Sequence, residues 1–254
     1  MDTTGLLRRL RDAIREIIGS DPSIAVAYSG GLDSSVIVAI ALEYAKVKCY
    51  TCAINGSLDS RKAGDYAAED RADHVVISLS DKDLIDWVAT ASNMLGSTDP
   101  TRIAYTLPVL CVLEGSEEKC ILAGNGADEL FGGYAKYLDA ENPSQMMVLD
   151  LEKMLQEGSL LSTHATAFGK RIGFPFASRD VISFAERTPL KEKIDKNGRK
   201  LILRETARLM CLPSYNRPKK AAQYSSGILK EIKRISRKEH LSLSEWIDKV
   251  TQGR

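Results

Sequence analysis

A short apolar strand that runs into a glycine turn and then into an apolar helix most constrains the fold of this chain. Residues 24–28 are apolar and include β-branched side chains, which predicts a buried strand. Ser29, Gly30 and Gly31 follow as a turn of small residues, and residues 36–44 have the composition of an apolar helix. Strand, turn and helix in this order predict an α/β unit.

The turn has the properties of a phosphate site. Its free backbone N–H groups and the positive end of the following helix attract an anion, and the hydroxyl groups of Ser29, Ser34 and Ser35 can add donors. Asp33 would repel phosphate unless a divalent cation lay between them, so it predicts Mg²⁺. No G-x-x-x-x-G-K-[ST] loop occurs in the chain, which argues against the usual chemistry at a γ-phosphate.

A second glycine-rich segment follows a second predicted strand, at residues 119–123. It reads Gly-Asn-Gly-Ala-Asp-Glu-Leu-Phe-Gly-Gly-Tyr over residues 124–134, and its four glycines allow the backbone to approach a ligand closely. Asp128 in this segment offers a second oxygen ligand at the end of a neighbouring strand. We therefore predict that Asp33 and Asp128 hold one Mg²⁺ together with pyrophosphate.

Both segments resemble a known family. Residues 29–35 are similar to the pyrophosphate loop of the ATP pyrophosphatases, the group that contains asparagine, GMP and NAD synthetases, and residues 124–134 resemble the signature of the asparagine synthetase synthetase domain. The resemblance implies an adenine nucleotide alpha hydrolase-like fold, ATP and Mg²⁺ as cofactors, and cleavage of ATP at the α-phosphate to form an adenylate. It also implies nucleotide contacts from these residues: Ala27, Ser29, Gly30, Gly31, Leu32, Asp33, Ser34, Ser35, Ala53, Ala123 and Gly124.

Asn125 departs from the family pattern. Asparagine synthetases usually carry glutamate at this place and beta-lactam synthetase carries tyrosine, whereas the asparagine amide can hydrogen-bond a substrate but cannot accept a proton near neutral pH. Asn125 is a candidate catalytic residue. Either this position has lost the base that asparagine synthetases carry, or the reaction of this chain never needed one there.

A third stretch, residues 216–227, resembles the lysine-bearing loop of the same family. The resemblance assigns Lys219 as the catalytic lysine that stabilises charge at the activated carboxyl group, with Lys220 as its rival. Residues 174–179 and 199–204 also resemble asparagine synthetase segments, so the similarity extends from about residue 21 to 235.

Apolar strands alternate with helices through the first half of the chain. Strands are predicted at 23–28, 48–54, 74–79 and 119–123, and helices at 4–18, 34–46, 60–72, 81–95 and 101–115. This order predicts a doubly wound parallel sheet with ligands at the carboxyl ends of its strands. We expect an ATP-binding α/β core at residues 1–134 and a mostly helical carboxyl-terminal lobe at residues 135–254 that completes the site.

Other patterns exclude several classes of protein. No apolar run of 18 residues occurs, so we expect no membrane span, and five cysteines without a secretion signal predict reduced thiols in a cytoplasm. Cys49 and Cys52 form C-x-x-C on a predicted strand, where residues three apart lie on opposite faces, so we expect no shared metal. Three histidines without ligand spacing give no zinc site.

The carboxyl-terminal half is basic: residues 191–238 contain fifteen Lys and Arg against four Asp and Glu. This cluster favours an anionic ligand. That ligand could be ATP or an RNA backbone, and charge alone does not decide between them.

Asp2 stands after the initiator Met, where full asparagine synthetases have a cysteine nucleophile, so we expect no glutaminase activity.

Three functions are consistent with these sequence patterns. The first is an ATP-dependent amide ligase that takes a small-molecule carboxylate, aspartate by default, and ammonia or an amine, with a separate glutaminase subunit as a possible ammonia source. The others are a tRNA-modifying adenylating enzyme and a nucleotide sensor without turnover.

Overall fold

The computed structural model describes residues 1–196, 198–217 and 226–253, except for the side chains of residues 58–60. Five parallel strands form the central sheet in the order β3–β2–β1–β4–β5. They are β1 (Ser23–Ala27), β2 (Lys46–Ile54), β3 (Asp73–Leu79), β4 (Cys120–Leu122) and β5 (Arg171–Gly173), and a separate antiparallel pair is formed by β6 (Ile194–Asp195) and β7 (Gly198–Arg199). The doubly wound parallel sheet is confirmed.

Helices cover both faces of the sheet. Those in the described ranges are α1 (Thr3–Ile18), α2 (Leu32–Ala41), α3 (Leu58–Glu69), α4 (Asp81–Leu95), α5 (Pro100–Gly115), α6 (Ala127–Phe131), α7 (Pro143–Ala167), α8 (Arg179–Arg187), α9 (Leu190–Lys193), α10 (Leu201–Leu209), α11 (Ile228–Lys238) and α12 (Leu243–Gln252). Short 3₁₀ turns lie at Ala135–Tyr137, Pro175–Ala177 and Pro213–Asn216. No described helix is long and apolar enough to span a bilayer.

The alternation of strand residues builds two hydrophobic clusters, one on each face. Val26 packs with α1, α2 and α10, whereas the adjacent Ala25 packs with α4, α5, α11 and α12. Cys49 lies in the first cluster and Cys52 in the second, which confirms the prediction that they point to opposite faces. Within the described residues, no group of three or more His, Cys, Asp or Glu side chains could hold a metal ion.

Several boundaries differ by a few residues from the sequence-based prediction, most at the end of α2, and one strand was not predicted. Helix α2 ends at Ala41 instead of residue 46, because β2 already begins at Lys46, whose N–H donates to the Pro22 carbonyl at 3.0 Å. The strand β5 was not predicted. It has only three residues, with Ile172 as its single buried side chain, which is too short to show a period.

The order of the strands places a switch point between β1 and β4. Chain connections leave the sheet in opposite directions from these two neighbours, so a crevice opens outside their carboxyl ends. The glycine turn follows β1 and the second glycine-rich segment follows β4, which brings the two predicted halves of the site together.

Candidate functional site

A cleft at the carboxyl ends of β1 and β4 collects most of the predicted site residues. Its lining includes Ala27, Ser29, Gly31, Leu32, Asp33, Ser34, Ala123, Gly124, Asn125 and Asp128. Gly31 is the N-cap of α2 and no side chain caps the helix there, so no capping side chain competes with an anion for the start of the helix.

Asp33 and Asp128 converge on one point, and the side chain of Lys200 occupies it. Lys200 Nζ lies 2.6 Å from both carboxylate oxygens of Asp33 and 2.5 Å from Oδ1 of Asp128. The lysine side chain is only 2% exposed. Burial lowers the pKa of the Lys200 ammonium, and the charge of Asp33 opposes that shift.

This close approach depends on Gly133. A β-carbon at that position would lie 1.7 Å from Oδ1 of Asp128 and 2.4 Å from Cε of Lys200, closer than nonbonded heavy atoms approach each other. The glycine therefore makes room for the carboxylate and the ammonium to meet.

Ser35 is placed differently from the prediction. Its hydroxyl donates to Asp70 Oδ2, its N–H donates to the Gly31 carbonyl at 3.0 Å, and its side chain is fully buried. Both donors are engaged inside the fold, because Ser35, at the end of the first turn of α2, faces the core. This arrangement argues against a phosphate contact by Ser35.

Asn125 lies at the start of a partly buried row of polar side chains. Its Nδ2 donates to Tyr105 Oη at 3.0 Å, Tyr105 shares a hydrogen bond with Tyr134, and the Tyr134 hydroxyl donates to Glu129 Oε1 at 2.7 Å. Burial raises the pKa of both Tyr134 and Glu129. The amide of Asn125 is thus held in place by a tyrosine that also lines the cleft.

One wall of the cleft is largely apolar. It is formed by Cys52, Pro108, Val109 and Val112, with Tyr50, Thr51 and Ser226 beside them. Ala53 does not belong to this wall. It is fully buried in β2, and the residues that precede it, up to Cys52, line the cleft instead.

Comparison with known proteins identifies the family. The asparagine synthase family model matches residues 5–146 and 137–249, nearly the whole chain. The chain belongs to the asparagine synthase family.

Its relatives in this family are distant and longer. A putative glutamine-hydrolysing asparagine synthetase of Methanocaldococcus jannaschii is 26% identical over 95% of this chain and 53% of the relative, and asparagine synthetase B of Escherichia coli is 26% identical over 89% and 45%. The chain therefore spans about half the length of these curated relatives. A solved structure of NMN synthetase from Francisella tularensis covers 98% of this chain and 91% of that chain at 11% identity, with a TM-score of 0.46.

The site of this asparagine synthase family member contains three basic residues that were not predicted from the sequence. Lys200, Arg204 and Arg217 all line the cleft. The segments that carry them, residues 199–204 and 216–227, resemble family segments. A single sequence, however, does not show which of the fifteen basic side chains in residues 191–238 point into the cleft. Lys219 and Lys220 lie outside the described residues, between Arg217 and Ser226.

The donor set fits a magnesium ion. Asp33 and Asp128 are hard oxygen ligands that already share one cation, the Lys200 ammonium. Two protein carboxylates are enough for Mg²⁺, which usually takes its remaining ligands from water and substrate phosphates. When bound, the ion would neutralise charge on the phosphates.

Proposed function

We propose that this chain is the catalytic part of an ATP-dependent ligase that activates a carboxylate as its adenylate. The carboxylate oxygen would attack the α-phosphate and release pyrophosphate, and ammonia or a small amine would then attack the acyl carbon and release AMP. The observation that carries the proposal is the convergence of Asp33 and Asp128 on one point beside the anion-binding turn.

In this proposal, different residues of the cleft would bind different parts of ATP. Ser29, Gly31 and the first turn of α2 would bind the β- and γ-phosphates, with Asp33 and Asp128 holding Mg²⁺. Lys200 and Arg204 face the same region and would add positive charge to the leaving pyrophosphate. Adenosine would lie against the apolar wall around Cys52 and Val109, rather than against Ala53 as the family resemblance predicted.

The second half-reaction would use a nucleophile that arrives neutral. Because the Asn125 amide cannot accept a proton, it would orient the amine or the acyl group through the hydrogen bonds it makes beside Tyr105. Aspartate is our default carboxylate. We also propose that ammonia comes free or from a separate glutaminase subunit.

The decisive experiment measures ATP–pyrophosphate exchange with a panel of amino acids and other small carboxylates. The proposal expects exchange that depends on one carboxylate, with AMP and pyrophosphate as products when ammonia is added. Asp128→Asn should abolish exchange, whereas Asp180→Asn, an exposed aspartate on α8, should not.

Other outcomes would overturn the proposal in favour of specific alternatives. Stoichiometric ADP and orthophosphate would exclude cleavage at the α-phosphate. ATP binding without exchange would favour a nucleotide sensor. Exchange that requires tRNA, with an affinity that falls steeply as salt rises, would favour a tRNA-modifying enzyme.

A further inference from the structure

The guanidinium of Arg217 reaches across the fold to the glycine turn. It is 9% exposed, and its Nη1 donates to the Gly30 carbonyl at 2.8 Å and to Ser35 Oγ at 3.1 Å. Arg217 belongs to the carboxyl-terminal half of the chain, whereas the turn follows β1. A single side chain thus connects distant parts of the sequence at the anion-binding turn.

The other edge of the guanidinium is anchored on the end of α3. Nη2 donates to Glu69 Oε2 at 2.5 Å and to Asp70 Oδ1 at 3.3 Å. The Asp70 carboxylate is buried and also accepts hydrogen bonds from the hydroxyl groups of Tyr28 and Ser35. The planar fork of arginine can satisfy the carbonyl and the carboxylates at once, which a lysine ammonium cannot do in the same geometry.

Tyr66 closes the same turn from another side. The Arg217 guanidinium lies 4.2 Å from the centre of the Tyr66 ring, and a β-carbon on Gly30 would lie 2.3 Å from that ring. Gly30 also has a φ of +70°, which favours glycine. The Gly30 backbone is therefore confined between an aromatic ring and a hydrogen-bonded guanidinium.

Confinement of the Gly30 carbonyl sets the direction of the next N–H. In a planar trans peptide the carbonyl and the following N–H point in opposite directions. With the Gly30 carbonyl turned to Arg217, the Gly31 N–H points the other way, toward Ser29 Oγ at 3.4 Å. Ser29 and Gly31 both line the cleft. A contact of 3.4 Å is long for a hydrogen bond, so a phosphate oxygen can readily replace it.

We propose that Arg217 is a positioning residue for the pyrophosphate-binding turn: by holding the Gly30 carbonyl, it keeps the Gly31 N–H directed into the cleft. This inference rests on the proposed function, in which that turn binds the β- and γ-phosphates of ATP. It adds that the carboxyl-terminal half of the chain controls the orientation of a peptide in the amino-terminal half.

The test compares the dissociation constants of Mg-ATP and AMP for the purified full chain and its variants. Arg217→Lys keeps the charge but loses the fork, so Mg-ATP should bind about tenfold or more weakly while AMP, which lacks the β- and γ-phosphates, binds within about twofold of wild type. Glu69→Gln removes an exposed anchor of Arg217 without disturbing the core and should weaken Mg-ATP by a smaller factor in the same selective way. Arg208→Lys, an exposed arginine paired with Glu205, serves as the matched control.

Selectivity distinguishes positioning from a general structural role. Equal losses of Mg-ATP and AMP affinity in Arg217→Lys, or no loss of either, would overturn the positioning role. If the wild-type chain binds AMP as tightly as Mg-ATP, the turn does not bind the β- and γ-phosphates. That result would reject both this inference and the proposed role of the turn. Wild-type binding of Mg-ATP that depends on Arg217, but without pyrophosphate exchange, would instead reject the ligase proposal and retain this inference.

Discussion

At the scale of single residues, Lys200 decides how the two aspartates of the cleft are neutralised. Asp33 is 24% exposed and Asp128 16%, and the ammonium between them is almost fully enclosed. Two partly buried carboxylates that face one point repel each other strongly without a cation. Lys200 therefore supplies in the free protein the positive charge that the site needs.

Replacement of Lys200 should make the fold dependent on added cation. Lys200→Met leaves Asp33 and Asp128 without a shared counter-charge, so we expect a loss of about 3 kcal/mol in the free energy of unfolding. Millimolar Mg²⁺ should raise the melting temperature of Lys200→Met more than that of wild type, as differential scanning fluorimetry would show. Lys48→Met, which removes an exposed pair with Glu117, should have little effect. An equal response to Mg²⁺ in all three proteins would argue against a cation site at these carboxylates.

Lys219 remains the proposed catalytic lysine. If it stabilises charge at the activated carboxyl group, Lys219→Ala should lower the rate of amide formation by about 10² to 10³ with little change in ATP affinity. Lys220→Ala is the matched control and should have a mild effect. The two variants are compared by single-turnover kinetics and nucleotide titration. A larger loss for Lys220→Ala would exchange their roles.

At the scale of elements, Lys170 joins the end of α5 to the start of β5. Its Nζ donates to the carbonyl groups of Leu113 at 2.8 Å, Glu114 at 3.1 Å and Ser116 at 2.5 Å. The last carbonyls of a helix have no partners within the helix, and a cation there also interacts favourably with the helix dipole. One side chain thus terminates α5 and holds the edge strand of the sheet.

Removal of this ammonium should destabilise the chain by a measurable amount. We expect Lys170→Met to cost about 1–2 kcal/mol in the free energy of unfolding, because three carbonyl groups lose a charged donor. Urea denaturation followed by circular dichroism would measure the change. Lys153→Met, on the exposed face of α7, provides the control and should leave the midpoint unchanged. Equal midpoints for both variants would show that water replaces the Lys170 contacts without cost.

At the scale of the whole molecule, both hydrophobic clusters combine residues from the two halves of the chain. Ile202 and Leu203 pack in the cluster with β1 and α1, while Ile228 and Trp246 pack in the cluster with α4 and α5. The division into residues 1–134 and 135–254 remains a proposal, and these shared clusters predict that the two parts fold together.

A single cooperative transition is the expected result of thermal unfolding. The calorimetric and van't Hoff enthalpies should agree, since neither cluster is complete within one half of the chain. A fragment of residues 1–134 lacks β5 and the packing residues of α10 to α12, so its amide signals in an NMR spectrum should be poorly dispersed. A well-dispersed spectrum from that fragment would instead support an independent ATP-binding domain.

The local chemistry of the site could be predicted from the sequence because it depends on short contiguous segments. A strand followed by Ser29, Gly30 and Gly31 can form only a tight turn before α2, and the spacing of apolar residues indicated the strands and helices up to β4. The position of Asp128 after a neighbouring strand predicted that it would approach Asp33. Asp99 caps α5 and Pro100 lies in its first turn, where local rules favour these residue types.

Other features depended on contacts between residues far apart in the chain. Lys200 and Arg217 are two among fifteen basic residues in residues 191–238, and only the folding of α10 against the sheet brings their charges to the turn after β1. Contacts made on folding also turned Ser35 toward Asp70 and placed Cys52, not Ala53, at the cleft wall. Sequence determined the segments that could bind phosphate, because glycine turns and helix ends are local. Tertiary structure decided which charges reach them, because such contacts join residues more than 150 positions apart.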